Sequence, residues 1–193
     1  MIHTIITFCF RVFFKLIYPY RLYGRDNIPE NGPYIICANH TSWFDPPLVG
    51  SVIPQMRIHF MAKEELFDIF IFGTILKKLG AFPVKRDKAD RRAIKKALQL
   101  LGEDKIIGLF PEGTRIKGGE LGQPFHGPAL IALLSNKPVL PVAVKWPDRL
   151  FQPVNVRFGK LLYFEEQGKI KKDLLQKVST KIMGEIELLL KSS

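Results

Sequence analysis

The chain has 193 residues, 47% of them hydrophobic, with 29 Lys and Arg against 18 Asp and Glu and a formal net charge of +11 at pH 7. That length fits one domain, and the apolar share excludes a disordered chain and supports a sizeable core. The basic excess selects an anionic partner (nucleic acid, a membrane surface or a phosphorylated substrate), and fifteen phenylalanines favour a lipid surface over a duplex.

Residues 1–18 read as a helix stopped by Pro19. Thr4, Thr7, Arg11 and Lys15 recur at helical spacing as one narrow polar stripe, and Ile2, Ile5, Ile6, Phe8, Phe10, Phe13, Phe14 and Ile17 cover the rest. A narrow stripe with only basic charges suits a helix lying in a bilayer interface, while the competing reading is a helix capping the domain core. No uncharged apolar run reaches the roughly 18 residues of a membrane span, and the start does not read as a cleaved signal peptide. The expectation is an interfacial helix over 1–19 followed by one domain over 20–193, lying on a membrane rather than crossing it. Cys9 and Cys37 have no metal-ligand spacing and fit a reducing compartment.

Residues 20–33 read as a connecting segment. Tyr34 to Ala38 is an apolar run that predicts a short buried strand. Asn39-His40-Thr41-Ser42-Trp43-Phe44-Asp45 follows, with Asp45 as the expected N-cap of a helix that has Pro46 at its first position. His40 thus sits where a strand ends and Asp45 where a helix begins. A carboxylate on one ring nitrogen fixes the imidazole tautomer, and the other nitrogen can then take a proton from a hydroxyl. The ordinary alternative is a capping Asp beside a loop His.

Arg57 to Met61 predicts a second strand. Lys63 to Leu79 predicts one helix ended by Gly80, apolar nearly all round and therefore expected to be buried, with lipid or an acyl chain as the other possible neighbour. Ala81 to Val84 is a short strand running into Lys85-Arg86. Lys88 to Leu101 is an amphipathic helix whose outer face carries Lys88, Arg91, Arg92, Lys95 and Lys96, either solvated or drawn to anionic lipid. Lys105 to Phe110 is a strand with Pro111-Glu112-Gly113-Thr114-Arg115 at its carboxyl end. Gly113 there can take φ > 0 and bring backbone close to a ligand.

A helix opens near Gly127-Pro128 and ends near Asn136. Pro138 to Lys145 and residues 155–164 predict further strands, and residues 169–191 an amphipathic final helix. Strands alternating with helices predict an α/β fold: a mostly parallel central sheet covered by helices on both faces. His40, Arg86 and Arg115 each follow a strand, and in a parallel sheet those ends share one edge. Arginine suits phosphate because its planar fork bonds two oxygens at once.

Four blocks in order resemble the glycerolipid acyltransferases, the 1-acylglycerol-3-phosphate acyltransferase family: residues 39–45, Gly80-Ala81-Phe82-Pro83-Val84-Lys85-Arg86, Phe110-Pro111-Glu112-Gly113-Thr114-Arg115, and Val139-Leu140-Pro141-Val142. The resemblance runs from about Tyr20 to Lys145. It implies transfer of an acyl group from a thioester, acyl-CoA or acyl carrier protein, to the free hydroxyl of a lysophospholipid, without an acyl-enzyme, metal or bound cofactor. It further implies that His40 is the base and Asp45 its orienter. Lys85, Arg86, Glu112, Gly113, Thr114 and Arg115 would bind the acceptor, and Pro141 would shape the acyl pocket. The implied place of work is the cytoplasmic face of the cell membrane.

One departure concerns the acceptor headgroup. The family often has Phe-Lys-x-Gly after the third block, and here Phe125-His126-Gly127 leaves His126 nearest the lysine's place. Another lysolipid acceptor therefore stays open. Two other classes are weaker. A hydrolase using Ser42 lacks the Gly-x-Ser-x-Gly elbow. A nucleic-acid binder lacks a recognised module and interleaved aromatic and basic residues.

Overall fold

The computed structural model describes residues 2–53, 57–85, 90–116, 121–165 and 168–192. Among them seven strands form one sheet in the order β1-β7-β6-β2-β5-β3-β4. The strands are β1 (Tyr20–Tyr23), β2 (Ile35–Ala38), β3 (Ile58–Lys63), β4 (Phe82–Val84), β5 (Ile106–Leu109), β6 (Val139–Lys145) and β7 (Val154–Phe158). β6, β2, β5, β3 and β4 run parallel to one another, β7 is antiparallel to β6, and β1 is parallel to β7. The mostly parallel sheet read from the strand–helix alternation is present.

Six α-helices flank it among the described residues: α1 (Ile2–Ile17), α2 (Asp45–Val52), α3 (Phe70–Leu79), α4 (Arg91–Gly102), α5 (Gly127–Ser135) and α6 (Lys172–Lys191). β2 is buried along its whole length, as expected of a central parallel strand covered on both sides. Its side chains alternate between two cores. Ile35 and Cys37 join Ala97, Leu101, Ile131 and Ile182 under α4, α5 and α6. Ile36 and Ala38 join Phe14, Leu48 and Val49 under α1 and α2.

Several sequence expectations change. Residues 20–33 contain β1, an edge strand of four residues that forms only because β7 offers it a ladder. Lys63 to Leu79 is not one helix: Lys63 ends β3, Glu64–Phe67 is a 3-10 turn, and α3 starts at Phe70. The chain folds back so tightly there that a Cβ on Gly73 would lie 2.1 Å from the Phe67 carbonyl oxygen. Nor is the start of α3 buried, since Phe70 is 90% and Ile71 71% exposed. Helical periodicity reads both segments as apolar on all sides, and only the tertiary packing decides which part finds a core.

α1 has two apolar faces. Phe14 is fully buried and Phe10 and Phe13 pack around the same core, while Ile5, Phe8, Val12 and Leu16 stay exposed. The core-capping reading therefore holds for one face of this helix, and the other apolar face is left exposed. Arg11, counted in the polar stripe, donates from Nε to the Ser51 carbonyl at 2.8 Å and ties α1 to the end of α2.

Gly108 in β5 lies under Phe60, whose ring a Cβ would meet at 2.3 Å. Phe60 stacks on Phe110, and Phe110 on His40. Gly108→Ala should cost about 1–3 kcal/mol by overpacking, read from urea unfolding, and should also lower activity by displacing that stack. An unchanged midpoint would show that the rings have room to give.

Candidate active site

Two loops at the carboxyl ends of adjacent strands build the site. After β2 the chain passes through Asn39, whose side chain continues the sheet: Nδ2 donates to the Val144 carbonyl at 2.9 Å, and Val144 N–H donates to Oδ1 at 2.7 Å. This pairing fixes where the next residue, His40, leaves the sheet. The turn then closes on Asp45. Asp45 is the first residue of α2 rather than its N-cap, and its side chain points backwards. Oδ2 accepts from the backbone N–H of Thr41 and of Ser42, each at 2.7 Å, and lies 2.9 Å from His40 Nδ1.

Asp45 is wholly buried and His40 is 7% exposed. A buried carboxylate needs donors in place of water, and this one has them. Because a carboxylate only accepts, Nδ1 must carry the hydrogen, which leaves the lone pair on Nε2. Among the described residues no group bonds Nε2. Ser42 Oγ accepts from Phe44 N–H at 3.1 Å and makes no bond to the imidazole, so the geometry offers no serine nucleophile activated by His40.

The loop after β5 is latched onto the same histidine. Glu112 Oε1 accepts the His40 backbone N–H at 3.0 Å, and Ile116 N–H donates to the His40 carbonyl at 2.8 Å. Glu112 Oε2 faces Gly122 N–H at 3.5 Å. Burial raises the Glu112 carboxyl above its ordinary range, and the His40 N–H bond opposes that shift. Both oxygens of Glu112 thus face backbone donors. Gly113 stands at φ +65, and a Cβ there would meet the Phe125 ring at 2.5 Å, so both conformation and space require glycine.

Arg115 is brought to the His40 turn: its guanidinium carbon stands 3.7 Å over the Trp43 ring. Lys85 follows β4 and pairs with Glu64 at 3.2 Å, while its backbone N–H donates to the Asp90 side chain that caps α4. Arg86 and Lys88 lie outside the described residues. Thr114 is exposed. Pro141 is buried inside β6, opposite Cys37, and does not line the cavity between the sheet, α4 and α5.

That cavity has a volume of about 430 Å³ and lies between the sheet, α4 and α5, within the size range of small-ligand pockets. Its wall is largely apolar, with Met61, Ile94, Leu109, Leu130 and Ile131, and it includes Lys85, Phe110, Gly113 and His126. The His40 ring stacks on Phe110 at 4.2 Å, so the imidazole borders this wall through one side chain. His126 Nδ1 lies 3.3 Å from Ser179 Oγ on α6. Sequence reasoning missed Asn39 as the residue that aims the turn, Phe110 as the ring support, and Trp146, whose Nε1–H donates to Asp45 Oδ1 at 2.6 Å. Trp146 lies 101 positions from Asp45 in the sequence, and no local pattern joins them.

Glu112→Ala should destabilise the fold by about 1–3 kcal/mol in urea unfolding, because it orphans the buried His40 N–H. Glu112→Gln keeps an acceptor there and should lose less.

A family model described as Acyltransferase matches residues 20–145. The chain is 35% identical over 151 residues to the 1-acyl-sn-glycerol-3-phosphate acyltransferase of Bacillus subtilis, covering 78% of this chain and 69% of that protein. It is 34% identical over 116 residues to the lyso-ornithine lipid O-acyltransferase of Pseudomonas aeruginosa, covering 59% of this chain and 43% of that one. The crystal structure of the 1-acyl-sn-glycerophosphate acyltransferase PlsC from Thermotoga maritima matches with a TM-score of 0.75 at 25% identity, covering 99% of this chain and 81% of that one.

Proposed function

This chain belongs to the Acyltransferase family, and from that premise we propose that it moves a fatty acyl group from a thioester to the sn-2 hydroxyl of 1-acyl-sn-glycerol 3-phosphate, giving phosphatidic acid. The observation that carries this reading is the buried His40–Asp45 hydrogen bond at 2.9 Å, which leaves Nε2 with its lone pair. Nε2 takes the proton of the acceptor hydroxyl as the oxygen attacks the thioester carbonyl. The C–S bond then breaks, and the departing thiolate takes the proton back from the imidazolium. Asp45 stabilises that cation and does not itself become protonated. The donor is an acyl carrier protein or CoA thioester, and no bound cofactor or metal takes part.

Arg115 and Lys85 hold the acceptor's phosphate, with Arg86 as a third cation by resemblance. Gly113 and Thr114 offer the backbone of the turn beside it. Glu112 serves by holding the His40 backbone; its own charge would repel a phosphate. The apolar cavity beside Phe110 receives an acyl chain, its walls being mostly hydrocarbon.

Among the described residues no helix is long and apolar enough to cross a membrane. The protein lies on the bilayer through the exposed stripe of α1 (Ile5, Phe8, Val12, Leu16) and the start of α3 (Ile69, Phe70, Ile71), two helices in mutual contact. Its charge of +11 adds attraction to anionic lipid. The cytoplasmic face fits the unbridged Cys9 and Cys37.

A second reading keeps the chemistry and changes the acceptor. It is favoured by the lyso-ornithine lipid relative and by His126 on the cavity wall.

Purified protein in mixed micelles, given labelled acyl thioester and competing acceptors, should prefer 1-acylglycerol 3-phosphate. His40→Ala should lose at least about a thousandfold in kcat, on the scale of removing a catalytic base. Arg115→Ala should act mainly on the acceptor's KM. Full activity in His40→Ala would end this assignment, and preference for a zwitterionic acceptor would select the second reading. Phe70→Ala should weaken partition onto anionic vesicles by about tenfold, the equivalent of about 1.4 kcal/mol and no more than one buried ring supplies.

A further inference from the structure

We propose that Trp146 is a positioning residue for the His40–Asp45 pair, and that α1 seats it there. The argument turns on the two oxygens of one carboxylate. Oδ2 of Asp45 faces three donors: the Thr41 and Ser42 backbone N–H groups and His40 Nδ1–H. Oδ1 has one donor among the described residues, the indole N–H of Trp146 at 2.6 Å. A carboxylate held at one oxygen can still turn about its Cβ–Cγ bond. The indole is the second fixed point, and it sets the plane in which Oδ2 meets the imidazole. Asp45 is wholly buried, so bulk water does not replace that donor.

The indole is itself held from outside the site. Tyr18 packs edge-on against it at 5.2 Å, with Phe14 at 6.4 Å and Phe44 at 6.2 Å. Phe14 lies within α1 and Tyr18 directly follows it, so the donor that orients the aspartate is wedged by the helix that also carries the exposed apolar stripe. This goes beyond the family reading, because no motif block contains Trp146 and its partner lies 101 positions away in the sequence.

Trp146→Phe keeps the ring and removes the N–H. The expected result is a kcat about tenfold lower with an acceptor KM within about twofold of wild type. Val52→Ala, in the same core, serves as the packing control and should lower the melting temperature while leaving kcat within about twofold. The inference fails if Trp146→Phe leaves kcat unchanged, or if Val52→Ala lowers it equally. It rests on the acyl-transfer reading only for its kinetic arm. If the wild-type protein transfers no acyl group, NMR still decides: displaced His40 ring signals in Trp146→Phe but not in Val52→Ala support the inference, and superimposable His40 ring signals in wild type and Trp146→Phe overturn it.

Discussion

A buried carboxylate is the constraint on which this structure depends. Asp45 is withdrawn from solvent, where an uncompensated charge would be prohibitively costly. The fold answers with four donors from three places: two backbone N–H groups of its own turn, the imidazole it orients, and an indole that follows β6. Each donor requires the chain nearby to hold one shape. The turn must close over Oδ2, the end of β2 must stay registered on β6 through Asn39, and α1 must pack against the indole. The site and the sheet edge are therefore one structure, and the requirement to satisfy a single buried anion links them.

The same economy explains Glu112. An acidic residue in a loop expected to meet a phosphate is paradoxical while it is read as a ligand. Its oxygens face the backbone of His40 and Gly122, which makes it the latch between the β5 loop and the β2 loop. Of the cations at these strand ends, Arg115 is braced by Trp43 and Lys85 lines the cavity. The apolar surfaces are divided in the same manner. One face of α1 completes the core under Phe14 while the other is left outside, next to the exposed start of α3. The helix that carries this exposed apolar face is also tied to the His40–Asp45 pair, because Phe14 and the adjoining Tyr18 pack against Trp146.

Much of this was legible in the sequence, because its physical causes are local. The alternation of apolar runs and amphipathic stretches sets the layered α/β fold, and the short His40–Asp45 spacing makes their pairing a matter of one turn. Gly113 at a position needing φ > 0 and the helix stop at Gly80 belong to the same class, since a few neighbouring torsions decide them. Four blocks in order were sufficient to indicate the reaction.

What the tertiary structure alone decided are the pairings between distant residues. β1 exists because β7 lies beside it, and four residues of weak pattern carry no such information. Periodicity says that the segment before Gly80 is apolar; it cannot say that the first turn of α3 is left outside the core. Pro141 sits within β6 and not on the cavity wall because strand order, which no local pattern encodes, places it against β2. Trp146 reaches Asp45 for the same reason. Local torsions and side-chain period are written in the sequence residue by residue, whereas contacts across the sheet are settled only when all the strands compete for neighbours at once.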